Sequence, residues 1–126
     1  MLSLILAAAL LTDPVAAPVS IPTDKAPVHG TLLAPEQPRA VAVILPGSGP
    51  TDRDGNSHLG ISAGTYRLLA EGLAEQGVAT LRVDKRGIAQ SASPSFSETD
   101  LRFSHYVADA RAWAAEAAAR TGQPCA

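Results

Sequence analysis

The run Ala40-Val41-Ala42-Val43-Ile44-Leu45, stopped by Pro46-Gly47, constrains the fold more than any other feature of the chain. A strand with one face in water alternates apolar and polar residues, whereas an unbroken apolar run marks a strand covered on both faces. Val78 to Val83 reads as a second strand of that type. Between them, Ser62 to Gln76 carries Tyr66, Leu69, Ala70, Leu73 and Ala74 at i, i+3, i+4, i+7 and i+8, the spacing of one helix face. Gly77 supplies the stop. Strand, helix and strand predict a βαβ unit with a right-handed crossover. Val28 to Leu33, ended by Pro35, predicts an outer strand. A last helix is predicted with Phe103, Val107, Ala110, Ala114 and Ala117 on its buried face and Ser97 with Asp100 as a capping box. Eight of the twelve residues from Ala108 to Ala119 are alanine, which favours that helix, and Thr121-Gly122-Gln123-Pro124 ends it. The expected class is α/β with a parallel-sheet βαβ core.

A length of 126 residues fits one modest domain. The net charge is -2 with no run of Lys or Arg, so there is no electrostatic footprint for nucleic acid. One cysteine, Cys125, excludes a disulfide or a Cys-based zinc site within the chain. Leu2 to Leu11 is apolar but too short to span a bilayer, which takes about 20 helical residues, so no stable membrane span is expected. With Val15-Ala16-Ala17 as a small-residue cleavage pattern, residues 1–17 read as a signal peptide, which implies export to a periplasmic or secreted location. The proline-rich residues 18–27 read as a linker.

Open α/β sheets place their sites on loops after the C-terminal ends of parallel strands. Two such loops are expected, Pro46 to Asn56 and Asp84 to Ser91. The first lacks the Gly-Lys pair of a phosphate loop, the third glycine of a dinucleotide fingerprint, and the Gly and Glu positions of a calcium loop. His29, His58 and His105 have no metal-site spacing. What remains is a glycine turn directly after a buried strand, where Gly47 and Gly49 let the backbone approach a ligand and turn its N–H groups outward. That suits an oxyanion hole, although on spacing alone a tight turn with no further role is the favoured reading. Gly60-Ile61-Ser62-Ala63-Gly64 matches Gly-x-Ser-x-Gly literally but has no strand before it, so Ser62 is not expected to be a nucleophile. His105 and Asp109, at i and i+4, read as a surface pair or cap.

Ile44-Leu45-Pro46-Gly47-Ser48-Gly49-Pro50 with Asp52-Arg53-Asp54-Gly55-Asn56 resembles the oxyanion-loop segment of α/β-hydrolase esterases. Asp84-x-Arg86-Gly87-x-Ala89-x-Ser91 resembles that superfamily's Asp-x-Arg-Gly-x-Gly-x-Ser turn, in the same order and separation. The resemblance covers roughly residues 28 to 124, so 28–126 would be the N-terminal part of such a domain. It implies that Ser48 donates its backbone N–H to the oxyanion, with Gly47 permitting the close turn. Many relatives carry His where this chain has Pro46, and Ala89 stands where they carry Gly. Asp84 and Arg86 would brace loops, while Asp52, Arg53 and Asp54 would form a local cluster worth ~0–1 kcal/mol per exposed pair.

The activity implied is carboxylic-ester hydrolysis through a serine acyl-enzyme, with no cofactor or metal and a small ester or peptide-like substrate. A serine peptidase-like member, or a truncated inactive product, are the alternatives. The nucleophile, acid and His are expected downstream of Ala126, so this chain alone is expected to be inactive. The Ala40–Leu45 strand would then present an apolar edge where its next neighbour belongs.

Overall fold

The computed structural model describes residues 12–125. The elements are β1 (Val15–Ile21), β2 (Val28–Ala34), β3 (Ala40–Ile44), α1 (Thr65–Glu75), β4 (Val78–Val83) and α2 (Phe103–Thr121), with single 3₁₀ turns at Ala89–Ser91 and Glu98–Asp100. The strands form one sheet in the order β1-β2-β4-β3. β1 pairs antiparallel with β2, β2 antiparallel with β4, and only β3 with β4 is parallel.

The expected parallel-sheet core is therefore overturned: the sheet is small, mixed and mostly antiparallel. The unbroken apolar runs report strands covered on both faces, and that cover does not fix the direction of the neighbour. One antiparallel pairing, β2 with β4, joins strands distant in sequence, and the other, β1 with β2, is a hairpin at the N-terminal end. Its six-residue connection is held by Thr23, whose Oγ1 donates to Ala26 O at 2.7 Å and accepts from the N–H groups of Lys25 and Ala26.

Val15–Ile21, read as the end of a leader and the start of a linker, is a strand instead. Val19 and Ile21 are buried while Ser20 is exposed, the period-2 pattern of a half-covered strand. Pro18 lacks an N–H for a ladder, a defect tolerated because β1 is an edge strand. β2, expected to be outermost, is covered by β1 and lies second in the sheet. The apolar run Leu2 to Leu11 falls outside the described residues.

The helices cover opposite faces. Val28, Leu32, Val41, Ala79, Leu81 and Val83 pack with Trp113 and Ala117 of α2. On the other face Leu33 and Ile44 pack with Ala70 and Ala74 of α1. The buried side of α2 departs from the expected stripe: it runs through Trp113 and Ala117, while Phe103 is 82% exposed. Alanine-rich sequence fixes helix without fixing its rotation, and the one large buried side chain, Trp113, sets it. The helix also starts differently. The Arg102 N–H donates to His105 Nδ1 at 3.2 Å, whereas Ser97 and Asp100 lie in and before the preceding 3₁₀ turn. α1 begins at Thr65 after a left-handed Gly64, and its Leu69, expected to be buried, is half exposed. β3 lies at the sheet edge beside β4, and Val41 makes an isolated parallel bridge to Cys125 on its outer side.

Candidate functional site

The parallel pair directs the C-terminal ends of β3 and β4 the same way, so Leu45–Pro50 and Asp84–Ser91 emerge side by side. Together with one side of α2 they enclose a cleft of about 500 Å³. The turn Pro46-Gly47-Ser48-Gly49 forms one wall, Val83, Asp84 and Lys85 the floor, and Phe103, Tyr106, Ala110 and Trp113 the opposite wall. Positions 103, 106, 110 and 113 are spaced by three and four residues, which brings them onto one stripe of the helix.

The turn is held from beneath. Lys85 Nζ donates to Gly47 O at 2.6 Å and to Gly49 O at 2.8 Å. An ammonium has three donors, so one remains. Burial in the cleft floor pulls the Lys85 ammonium below the ordinary lysine value. The Gly47 N–H makes a long 3.5 Å contact to Tyr66 Oη. Among the described residues no acceptor engages the N–H of Ser48 or of Gly49, and both residues are exposed. Gly49 has φ 81°, a left-handed value that glycine adopts without penalty. The structure thus gives two unpaired donors on a turn whose carbonyls are tied back to a cation.

The remaining loop residues form a frame behind this wall. Asp84, 2% exposed, accepts from the Arg53 N–H at 2.7 Å and from Arg53 Nη2 and Nε at 2.7 and 3.0 Å. Arg53 also reaches Thr31 Oγ1 and Gln90 Oε1. The expected local cluster of Asp52, Arg53 and Asp54 is thereby divided. Arg53 pairs across the sheet end with Asp84, and Asp54 pairs with Arg82 of β4. Asp52 Oδ1 accepts the N–H groups of Asp54 and Asn56 at 2.9 Å each, closing a tight turn.

Arg86 forms a two-bond pair with Asp109 of α2 at 2.7 and 2.8 Å and reaches Asp24. Those partners raise the Arg86 guanidinium further above its ordinary range, and Arg86 holds the Asp24 carboxyl below its own. Asp109 is engaged by Arg86, so it forms no dyad with His105. Ala89, where the motif's relatives carry Gly, takes φ 46°, the only left-handed non-glycine residue described.

Of the residues singled out in the sequence, Gly47, Ser48 and Asp84 line this cleft, and three features carried no expectation. Lys85 gave no signal, because its partners are carbonyl oxygens 36 and 38 residues away. Tyr106 and Trp113 share a stripe of α2 through a three-and-four spacing that the many alanines between positions 108 and 119 obscure. Nothing in the sequence sets Arg82 apart within the second strand, and it is the buried partner of Asp54.

Ser62 lies exposed in the loop before α1, and among the described residues no serine hydroxyl bonds a histidine ring. The described residues hold no cluster of metal-ligating side chains. No helix among them is long and apolar enough to cross a membrane. Comparison with known proteins finds no family model and no curated protein that matches the chain.

Proposed function

We propose that this chain supplies the oxyanion-donating part of a serine hydrolase acting on carboxylic esters. The observation that carries the reading is the pair of unpaired N–H groups at Ser48 and Gly49, set on the wall of an apolar cleft. Acyl transfer places negative charge on the former carbonyl oxygen, and preorganised backbone donors stabilise that charge, typically by ~3–4 kcal/mol per donor where bound substrate excludes water. Lys85 contributes by holding the carbonyls of the same turn, which keeps its N–H groups from collapsing onto them. The likeness of Pro46–Asn56 and Asp84–Ser91 to two loops of α/β-hydrolase esterases supports the same role.

In this reading Ser48 acts through its backbone and its hydroxyl is not the nucleophile. A serine outside residues 12–125 attacks the ester carbonyl while a histidine takes its proton. The tetrahedral intermediate collapses, breaking the bond to the alcohol, which leaves with that proton, and water then hydrolyses the acyl-enzyme to release the acid and restore the serine. Asp84, Arg53, Asp54 and Arg86 position the loops and touch no reacting atom.

The test is labelling by a fluorophosphonate, with aryl-ester hydrolysis, on the gene product that includes any residues encoded after Ala126. The reading expects one labelled serine beyond that point and no activity from the 126-residue chain. Labelling of Ser48 or Ser62, or neither labelling nor hydrolysis in any form, overturns it.

A further inference from the structure

Resting on that reading of the site, we infer that the cleft selects an aromatic acyl group, its ring lying against Tyr106 and Trp113 and its oxygen at the Ser48–Gly49 turn. The chain has only five aromatic residues, one Trp, two Tyr and two Phe. Three of them, Phe103, Tyr106 and Trp113, line this one cleft from a single stripe of α2. Core packing accounts for Trp113, which is buried against the sheet and leaves only its edge to the cleft, but not for Phe103, which is largely in solvent, or for Tyr106, which is half buried. Aromatic side chains pair with other rings in offset or edge-on arrangements that straight aliphatic chains do not reproduce. The cleft volume lies within the range of small-molecule sites, roughly 300–1,000 Å³.

Charge favours the same ligand. Two carboxylates, Asp84 and Asp109, line the cleft and would repel an anionic oxygen if uncompensated. Each is already matched by an arginine, Arg53 and Arg86 respectively. What faces the ligand's oxygen is then two backbone N–H groups and the remaining N–H of the Lys85 ammonium. The acid released from such an ester carries both features, a ring and a carboxylate, so it serves as a probe that needs no nucleophile.

Trp113 is the only tryptophan, so its fluorescence reports the cleft directly. The 126-residue chain is titrated with phenylacetate, hexanoate and phenylacetamide, with circular dichroism confirming that each variant is folded. Phenylacetate is expected to bind saturably and about tenfold more tightly than hexanoate. Tyr106→Leu is expected to shrink that preference, while Lys85→Gln weakens both acids alike. Equal affinity for the two acids overturns the aromatic selection and leaves the anion-donor reading standing. Phenylacetamide binding as tightly as phenylacetate overturns the placement of the oxygen at the turn, and with it the oxyanion reading. No binding of phenylacetate by the folded chain overturns the inference outright.

Discussion

Replacing Asp84 with Asn keeps the side chain's shape and removes the charge that holds Arg53. Asp84 is almost wholly buried and Arg53 retains 13% of its side-chain surface in water, so the pair is poorly screened by solvent or salt. Removing one partner of a buried pair typically costs ~3–5 kcal/mol, chiefly because the other charge is stranded. Here Arg53 keeps Thr31 and Gln90 as acceptors and some contact with water, which places the expected loss at the low end, about 3 kcal/mol. Against a usual total of ~5–15 kcal/mol that is a large fraction. Urea denaturation of Asp84→Asn, Arg53→Met and the double variant separates the pair from its surroundings. The double variant should lose less than the sum of the singles by at least about 1.5 kcal/mol. Additivity within about 0.5 kcal/mol would refute the reasoning, since independent sites behave that way.

The second loop makes two opposite glycine predictions. Ala89→Gly should stabilise by ~0.5–1 kcal/mol, because relief of a left-handed alanine, roughly 1–2 kcal/mol, exceeds the entropy cost of glycine. Gly87→Ala should destabilise by more than about 2 kcal/mol, since φ is 78° and a Cβ would stand 2.2 Å from the Phe96 ring. Both are read from urea midpoints at unchanged slope. Desolvation first, then the nearby charges of Glu98 and Asp109, raise the Tyr106 phenol above its ordinary value of 10.0. The folded chain holds that proton more tightly than the unfolded one, so the contribution is complete below about pH 10 and is lost as pH rises through the raised value. Tyr106→Phe should therefore flatten the fall in stability above pH 10, and an unchanged profile would refute the assignment.

Local patterns made the strands β3 and β4, the crossover helix and the long C-terminal helix legible, because buried runs and helical spacing are properties of contiguous residues. Strand direction was not legible. The direction of β2 against β4 is set by a pairing of segments distant in sequence, and the hairpin partner of β2, Val15–Ile21, is masked by Pro18 and by small residues that suit a cleavage site. The Gly47-Ser48-Gly49 turn could be read from its glycines. Its anchor could not, because Lys85 meets the turn only once β3 and β4 align. Trp113 overrode the alanine pattern of α2 for a similar reason: in a helix with little side-chain bulk, one large residue chooses the buried side.

The account turns on whether the Ser48 and Gly49 N–H groups receive an anionic oxygen. The most direct measurement is a titration of the isotope-labelled chain with phenylacetate, following backbone amide resonances by two-dimensional NMR. The Ser48 and Gly49 amides should move downfield and saturate together with the Trp113 indole signal. Movement of the indole while both amides stay fixed would contradict the account.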